Sequence, residues 1–342
     1  MRAAVTQAKG VMELVEVPEP GEPGPGEVIV RPEAVGICGS DFHYFLGEHG
    51  PGWGFPRIQG HEVSGVIDAV GPDCRQGLGP GTRVSLWPLT SCGGCYPCRV
   101  GRPNVCDNFR LIGIHADGGL QQRLRMPESQ VFPADDQKPA VATLAEPLSI
   151  AVRTVGRADV RPGERVVVFG AGPIGQTVAL VAMDRGASVL LIDRVSHRLE
   201  VGRGLGAETV AWSDPDEVVA LAREWSGGEG APVVVDATGS AHAIRAAVDV
   251  AASAARVVVV GISHEEVHLP VFSFTQKEFD LLGVSCCQGD EFGEAVEFVG
   301  RHGDRVERLI TQQFPLERAP EAFRWAMEHP AESMKVVIEQ EV

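Results

Sequence analysis

The sequence predicts an α/β protein with two architectures, a mostly antiparallel β domain and a doubly wound parallel sheet. Short β-rich runs separated by Gly and Pro fill the chain up to Glu146, and strand-like and helix-like segments alternate after it. The 342 residues suit two domains or one large one. With 44% hydrophobic and 22% charged residues, the composition is that of a globular protein and argues against a disordered or fibrous chain.

The N-terminal part reads as a compact antiparallel β domain. Its clearest β-runs lie at residues 27–31, 62–67 and 82–86, and the Pro- and Gly-rich stretch from Pro18 to Gly26 is typical of a loop between strands. We find no internal repeat and no low-complexity tract.

The later part reads as a parallel sheet. Residues 165–169 form a continuous β-branched run, as expected for a strand buried on both faces. Strands and helices then alternate, which predicts right-handed crossovers between parallel strands. The further predicted strands are 188–193, 232–236, 256–260 and 335–339, and the predicted helices are 149–155, one from the glycine-rich turn to about Gly186, 195–205, 241–254, 289–301 and 316–328.

The charge balance narrows the set of partners. Lys plus Arg number 30 against 46 Asp plus Glu, so the formal net charge is −16, which disfavours nucleic acid and anionic membrane surfaces. The first residues lack the apolar core of a secretory signal, and the apolar stretch 166–183 is interrupted by glycines and Pro173. We therefore expect a cytoplasmic protein.

A glycine-rich turn follows the predicted strand 165–169. Gly170-Ala171-Gly172-Pro173-Ile174-Gly175 fits G-x-G-x-x-G and opens a helix, and Asp193 ends the next strand. The first glycine permits the bend, the second admits a pyrophosphate close to the backbone, and the third lets helix pack on strand. Asp193 would bind the adenosine ribose hydroxyls and repel a 2′-phosphate, which predicts NAD, with NADP disfavoured only in part because Arg194 follows. A glycine turn in another α/β protein is the alternative.

Four cysteines form the pattern C-x2-C-x2-C-x7-C: Cys92, Cys95, Cys98 and Cys106. Four thiolates at this spacing can surround one tetrahedral Zn²⁺ and leave no position for substrate, so the pattern predicts a structural zinc site. An iron–sulfur cluster is the main alternative. In a reducing cytoplasm, clustered cysteines indicate metal ligands rather than disulfides.

A second metal site is suggested by more scattered residues. Cys38 precedes Gly60-His61-Glu62 by about 22 residues, and Glu146 stands further on. A thiolate, an imidazole and carboxylates make a plausible set for a catalytic zinc that keeps one position open. A buried thiol and a core histidine are the alternative. Cys74, Cys286 and Cys287 have no partners at ligand spacing.

Five motifs follow one another in the order found in a known family. They are Cys38-Gly39-Ser40-Asp41, Gly60-His61-Glu62, the four-cysteine segment, Glu146-Pro147-Leu148 and the turn from Gly170 to Gly175. In this arrangement the chain resembles, over essentially its full length, the zinc-dependent medium-chain dehydrogenase/reductase family, on its polyol (sorbitol) dehydrogenase-like branch. The resemblance implies a GroES-like catalytic zinc-binding domain, 1–149 plus 287–342, into which an NAD-binding Rossmann domain, 150–286, is inserted.

The resemblance also implies roles for the metal-site residues. Cys38 and His61 match the catalytic zinc ligands, and Glu62 and Glu146 match carboxylate positions, one direct and the other acting through water, or the two exchanging. Asp41 matches the carboxylate that orients the zinc-bound histidine.

Further roles concern the proton and the cofactor. Ser40 matches the hydroxyl that relays the alcohol proton, His43 a histidine that passes it to solvent, and Tyr44 an aromatic residue at the mouth of the active site. Surface helix positions are the alternative for His43 and Tyr44. The predicted cofactor-binding residues are Gly170, Gly172, Pro173, Ile174, Gly175, Asp193, Arg198, Thr238 and Gly261.

The implied activity is hydride transfer between NAD and the secondary alcohol of a polyol, sugar acid or related hydroxy compound, with two zinc ions per chain, one in each predicted site. Polyol enzymes carry an arginine–tyrosine pair shortly after the cofactor domain, but the matching stretch 283–287 has neither residue. The substrate is therefore open. The alternatives are an L-threonine 3-dehydrogenase-like activity, a non-catalytic nucleotide-binding regulatory protein of the same fold, and a zinc-free reductase.

The expected partner is a small-molecule alcohol, with no nucleic acid and no membrane. The family also implies a homodimer or homotetramer, and the apolar run from Phe279 to Val284 is a candidate for pairing across a two-fold axis.

Overall fold

The computed structural model describes residues 1–48, 53–75 and 77–340. The chain divides into two compact units, Met1–Glu146 with Gln288–Val342, and Pro147–Cys287. The first unit therefore contains both ends of the chain, and the second is a continuous segment between them.

The first stretch of the chain is rich in short strands and turns. Its strands are β1 (Arg2–Ala8), β2 (Val11–Glu16), β3 (Glu27–Ile37), β4 (Arg57–Ile58), β5 (Glu62–Val70), β6 (Arg83–Leu86), β7 (Leu89–Thr90), β8 (Arg110–Leu111), β9 (Leu124–Pro127) and β10 (Val131–Pro133). Its helices are α1 (Gly39–Phe45), α2 (Tyr96–Arg99) and α3 (Pro139–Ala142).

The second unit alternates strands and helices. Its strands are β11 (Arg165–Phe169), β12 (Ser188–Asp193), β13 (Glu208–Ala211), β14 (Ala231–Asp236), β15 (Ala251–Val259) and β16 (Asp280–Gly283). Its helices are α4 (Ala145–Arg157, which begins in the first unit), α5 (Pro173–Asp184), α6 (Ser196–Leu205), α7 (Pro215–Trp225), α8 (Ala241–Val250) and α9 (Val271–Lys277). The chain ends with α10 (Gly289–Glu307), β17 (Ile310–Pro315), α11 (Ala319–Glu328) and β18 (Lys335–Glu339).

The main sheet of the first unit is mostly antiparallel. Its strand order is β10-β6-β5-β3-β18-β17, with β9 also paired to β3, and only the β17–β18 pair in it is parallel among the described residues. The last strands of the chain, β17 and β18, thus complete the sheet that contains β3 and β5. Apolar side chains such as Val30, Val63 and Phe323 are buried in its core.

The sheet of the second unit is parallel throughout the described residues, in the order β13-β12-β11-β14-β15-β16. The central strand β11 is buried on both faces, because Val166 to Phe169 are each at most 1% exposed. This order reverses direction next to β11, and ligands of such sheets bind at the carboxyl edge near that point. The predicted fold class is confirmed.

One predicted boundary is wrong. The sequence predicts a helix over 241–254 and a strand over 256–260, but α8 ends at Val250 and β15 begins at Ala251. Alanine favours helix, so the sequence gives no local stop signal. The ammonium group of Lys277 donates to the carbonyls of Val248 and Ala251 at 3.0 and 2.8 Å, which satisfies the end of the helix from a distant segment.

Within the described residues, which omit 49–52, 76 and 341–342, no helix is long and apolar enough to cross a membrane.

Candidate active site

Neighbouring strands bring together three of the predicted metal ligands. Cys38 follows β3 and caps the N-terminus of α1, while His61 and Glu62 lie where β5 begins. Because β3 and β5 pair antiparallel, with Gly36 opposite Glu62, these residues meet at one end of the sheet. One ligand atom from each of Cys38, His61 and Glu62 lies within 4.8 Å of the others.

His61 is held in a strongly acidic environment. It is 2% exposed, and its Nδ1 is buried without a hydrogen-bond partner, 3.6 Å from Asp41 Oδ2. Burial lowers the pKa of His61, but Asp41, Cys38 and Glu146 together raise it well above its usual range. A soft thiol, an imidazole and buried carboxylates around one point fit a zinc ion.

Glu146 lies beside this cluster, in the first turn of α4, and is 9% exposed. Burial, together with the neighbouring carboxylates of Glu62 and Asp41, raises the pKa of its carboxyl to about 7, against the opposing charges of His61 and Lys335. Several buried acids in one place need a compensating cation. The environment of Glu146 therefore also suits a metal site.

Lys335 supplies part of that compensation. Its Nζ donates to Glu62 Oε1 and Oε2 at 2.6 and 2.8 Å and to the carbonyl of Ile37 at 3.3 Å. The sequence analysis missed this residue. Its only sequence signal was a lysine opening an otherwise apolar strand, residues 335–338.

The four-cysteine segment forms a compact cluster in the first unit. The sulfur atoms of Cys95 and Cys98 are 3.4 Å apart, those of Cys95 and Cys106 3.6 Å, and those of Cys92 and Cys106 3.4 Å. Thiolates around one tetrahedral zinc, each about 2.3 Å from it, lie about 3.8 Å from each other. The spacing fits a single ion, whereas an iron–sulfur cluster interposes several metal atoms and holds its cysteines farther apart.

Backbone N–H groups in this segment point at sulfur, as expected around thiolates. The N–H groups of Cys92 and Asn108 donate to Cys106 Sγ, both at 3.3 Å. Hydrogen bonds from the backbone of Gly94 and Cys95 lower the pKa of Cys92 to about 6. The donors therefore favour the charged form that binds metal.

The glycine-rich turn lies at the carboxyl edge of the parallel sheet, between β11 and α5. Gly170 has a φ of +96°, and a side chain at Gly175 would overlap the carbonyl oxygen of Gly170. Beside Gly172 an added Cβ meets only Arg198, at 4.0 Å, which leaves room for a ligand against the backbone. Pro173 and Ile174 begin α5, whose N-terminus faces that space.

Asp193 ends β12 next to this turn. Its carboxylate accepts hydrogen bonds from the N–H groups of Ala171 at 2.7 Å and Val195 at 2.8 Å, and Arg198 Nη1 lies 4.0 Å away. The side chain is 10% exposed. The backbone thus fixes a negative charge beside the glycine-rich turn.

Thr238 and Gly261 follow β14 and β15, at the carboxyl edge of the parallel sheet. Both are held by Asp236, a fully buried residue that the sequence analysis did not single out. Asp236 Oδ1 accepts from Thr238 Oγ1 at 2.5 Å, Oδ2 accepts from the N–H of Gly239 at 3.0 Å, and the backbone carbonyl accepts from the N–H of Gly261 at 3.1 Å. A buried acid at a strand end before a Thr-Gly pair was the available signal.

The predicted proton-transfer residues lie on α1. Ser40 Oγ is 3.5 Å from His61 Nε2, so the hydroxyl borders the ligand cluster. The His43 side chain is 56% exposed, and its Nδ1 lies 2.5 Å from Glu48 Oε2. Tyr44 is fully buried, donates its hydroxyl to the carbonyl of Gly54 and stacks on Trp53.

The loop from Gly47 to Phe55 follows α1 along the chain. Residues 49–52 of this loop lie outside the described residues. In the described part, Trp53 and Phe55 pack on Tyr44, with ring centroids 5.8 and 5.4 Å from its ring. Trp53 also contacts His115 edge-on at 6.0 Å.

The remaining cysteines stand apart from both clusters. Cys74 Sγ donates to the carbonyl of Glu27 at 3.3 Å. Cys287 is buried and its Sγ accepts from Ser149 Oγ at 3.0 Å, whereas Cys286 is partly exposed. The stretch 283–287, Gly-Val-Ser-Cys-Cys, contains neither arginine nor tyrosine.

The fold, the thiolate cluster and the glycine turn together define a zinc-binding dehydrogenase, and comparison with known proteins agrees. Residues 24–136 match the alcohol dehydrogenase GroES-like domain, and residues 173–301 match the zinc-binding dehydrogenase domain. The chain belongs to the zinc-dependent medium-chain dehydrogenase/reductase family, on its polyol dehydrogenase-like branch. It is an oxidoreductase that acts on alcohols.

Individual relatives span nearly the whole chain. L-galactonate-5-dehydrogenase of Escherichia coli K12 is 32% identical, over 94% of this chain and 94% of its own length. Sorbitol dehydrogenase of Homo sapiens is 32% identical, over 93% of this chain and 90% of its own. The crystal structure of the alcohol dehydrogenase RspB of Escherichia coli CFT073 with NADH superposes with a TM-score of 0.89 at 30% identity, covering 99% of each chain.

Proposed function

We propose that this enzyme oxidises the secondary alcohol of a polyol, sugar acid or related hydroxy compound and reduces NAD. The observation that carries the proposal is the convergence of Cys38, His61 and Glu62 within 4.8 Å in a buried, acidic position, in a chain whose parallel sheet carries a dinucleotide turn. The first unit would be the catalytic zinc-binding domain and the second the NAD-binding domain.

Cys38 and His61 would hold a catalytic zinc with Glu62 and Glu146, and the four-cysteine cluster would hold a structural one. When bound, zinc supplies Lewis acidity that lowers the pKa of the substrate hydroxyl, and NAD supplies the hydride acceptor. Asp41 faces His61 Nδ1 and orients the ring. Glu62 is held by Lys335 through both carboxylate oxygens, and the charges of Lys335 and His61 also act on Glu146.

The chain's own groups move the proton. Ser40 Oγ borders the ligand cluster, so its hydroxyl accepts the proton of the alcohol and donates its own to the next acceptor. The exposed side chain of His43, paired with Glu48, passes a proton to solvent. In total, the secondary alcohol loses one hydride to NAD and one proton to solvent, and a ketone remains.

The cofactor preference rests on Asp193. Its carboxylate is fixed by two backbone N–H groups, so it cannot turn away from a 2′-phosphate without breaking them. We therefore propose NAD as the preferred cofactor. Asp193→Ser is expected to raise kcat/KM with NADP by about 10-fold or more relative to NAD, because a single like-charge contact of this kind is worth about 1–3 kcal/mol.

The substrate class is set by what surrounds the metal. The relatives named L-galactonate-5-dehydrogenase and sorbitol dehydrogenase match 94% and 93% of this chain, which supports a substrate of the sugar-acid or polyol class. Residues 283–287, Gly-Val-Ser-Cys-Cys, lack an arginine for a distal carboxylate or hydroxyl. This difference favours a smaller or differently charged hydroxy compound than the usual polyol.

We further propose that the enzyme forms a homodimer or homotetramer in the cytoplasm. The edge strand β16 exposes Leu281, and the nearby segments of the same unit expose Ile262, Val271 and Phe272 by 81%, 77% and 71%. An exposed apolar sheet edge is suited to pairing with a second copy. The free cysteines of the zinc cluster fit a reducing compartment.

The proposed function is tested by NADH formation on a panel of polyols, sugar acids, inositols and 3-hydroxy amino acids, with NADP as a second cofactor. We expect turnover on a secondary alcohol of this panel, lost in Cys38→Ser and Glu146→Ala with the fold intact. NADH binding without turnover on any alcohol would favour a non-catalytic role, and preferred turnover of L-threonine would favour the threonine dehydrogenase alternative.

A further inference from the structure

Two buried polar side chains, Gln59 and Thr6, form a series of hydrogen bonds that ends on Asp41. Gln59 is fully buried, and its Nε2 donates to the backbone carbonyl of Asp41 at 2.8 Å and to Asp41 Oδ1 at 3.3 Å. Thr6, also fully buried, donates its hydroxyl to Gln59 Oε1 at 2.6 Å. The series runs from β1 to the residue that faces the predicted zinc ligand.

The direction of these hydrogen bonds is set by chemistry. Both groups of Asp41 that face Gln59 are acceptors, so Gln59 must present its amide nitrogen to them and its oxygen to Thr6. The Thr6 hydroxyl must then donate. If the Gln59 amide were reversed, its oxygen would face the carbonyl and the carboxylate oxygen of Asp41, which are both acceptors. Asp41 therefore sets the orientation of Gln59, and the Thr6 hydroxyl supports that orientation by donating to the buried Gln59 oxygen.

Asp41 needs this support because its other contacts fix only part of it. Oδ2 accepts from the N–H of Cys38 at 2.9 Å and faces His61 Nδ1 at 3.6 Å, and Oδ1 accepts from the N–H of Gly60 at 3.3 Å. Without Gln59, the long hydrogen bond from the N–H of Gly60 would be the one that remains to Oδ1 among the described residues. The carboxylate could then rotate about its terminal bond and turn Oδ2 away from His61.

We propose that Gln59 and Thr6 are positioning residues that fix the Asp41 carboxylate and, through it, the orientation of the His61 ring as a metal ligand. The inference rests on the proposed catalytic zinc site. Gln59 directly precedes the Gly60-His61-Glu62 motif, and its side chain lies on the Asp41 side of the strand entry. Its side chain bonds to Asp41 and Thr6 within the described part of the chain, so it acts on the His61 ligand through Asp41.

The test is zinc affinity measured by competition with a chromophoric chelator on the full-length enzyme. Gln59→Leu keeps the volume and removes both donors. Cys38→Ser is expected to lack the zinc of the Cys38 site, which identifies that site in the measurement. In Gln59→Leu we expect this zinc to bind about 10- to 100-fold more weakly than in the wild type, the usual cost of losing an outer-shell partner. The zinc of the four-cysteine cluster should stay at wild-type affinity, because its nearest ligands share no contact with Gln59.

Gln130→Leu is the matched control. Gln130 is 4% exposed in the same unit and donates to the carbonyls of Trp87 and Leu89, and among the described residues it makes no hydrogen bond to the Cys38 cluster. It should lower thermal stability as Gln59→Leu does, yet leave the affinity of the Cys38 site unchanged. Equal affinity losses in both variants would overturn the positioning role and indicate a general effect of unfolding.

A second pair keeps the inference testable if Gln59→Leu does not fold. Thr6→Val is isosteric and removes the donor to Gln59 Oε1, whereas Thr6→Ser retains it. We expect several-fold weaker zinc binding in Thr6→Val than in Thr6→Ser, and equal affinities would contradict the inference. A wild-type enzyme whose zinc content is the same as that of Cys38→Ser would instead contradict the proposed zinc site itself.

Discussion

Lys335 Nζ contacts both carboxylate oxygens of Glu62, at 2.6 and 2.8 Å, with the two side chains 3% and 0% exposed. The two residues come from strands on opposite sides of β3, since Val336 pairs with Ile37 and Glu62 pairs with Gly36. The last strand of the chain thus delivers a cation to a site built by the first part of the chain. The pairing of β18 with β3 therefore places the positive charge of Lys335 at the predicted zinc site.

Lys335→Met is expected to leave the Glu62 carboxylate buried without its cation. Breaking such a pair costs about 3–5 kcal/mol of unfolding free energy, because the remaining charge is uncompensated. Urea unfolding of the zinc-loaded enzyme measures this change. The double variant Lys335→Met with Glu62→Gln removes both charges and should recover part of the loss, and a single variant as stable as the wild type would refute the interpretation.

Cys106→Ser is expected to remove the structural zinc. Cys106 is 2% exposed and its sulfur is within 3.6 Å of the sulfurs of Cys92 and Cys95. The melting temperature should fall by about 5 °C or more, because metal binding in such a site contributes folding energy. Cys74→Ser, outside both clusters, is the control and should keep the zinc content and melting temperature of the wild type.

Asp236→Asn is expected to weaken NADH binding. The change puts an amide NH₂ in place of one carboxylate oxygen, where the N–H of Gly239 or the donors of Thr238 now point. Losing one such hydrogen bond costs about 1–1.5 kcal/mol, so the Kd for NADH should rise about 10-fold. Fluorescence titration with NADH measures it, with the partly exposed Asp249→Asn as control, and zinc content should not change.

Leu281→Lys is expected to disrupt the proposed oligomer. Leu281 is 42% exposed on the edge strand β16, where a charge would oppose pairing with another strand. Light scattering should show a smaller assembly than for the wild type. Leu221→Lys, at a position 48% exposed on α7 of the same unit, should keep the wild-type mass. A wild-type monomer would remove the oligomer proposal altogether.

Features carried by local patterns were predictable from the sequence. The β-branched strand 165–169, the glycine turn with Pro173 at the start of its helix, and the closely spaced cysteines each depend on neighbouring residues, and the structure contains the strand, the turn and the cysteine cluster. The fold class can be predicted from the alternation of these elements, because that prediction does not depend on which distant segments are in contact.

Features carried by long-range contacts were not predictable. Lys335 and Glu62 are 273 residues apart in the sequence, and Thr6 and Gln59 are 53 apart, so no local pattern predicts either pair. The alanines after Val250 favour more helix, but α8 ends there, and Lys277 donates to the carbonyl of Ala251 just beyond that end. In each case a buried polar group needed a partner that only the folded chain supplies.

The central claim is that Cys38 and His61 hold a catalytic zinc distinct from that of the four-cysteine cluster. Zinc content and NADH formation, measured together on the wild type and Cys38→Ser, test it most directly. We predict two zinc ions per chain in the wild type, one for each ligand group, and one in Cys38→Ser. NADH formation should fall at least about 100-fold in the variant, with its melting temperature preserved. Equal zinc content in the two proteins, or wild-type turnover in Cys38→Ser, would contradict the claim.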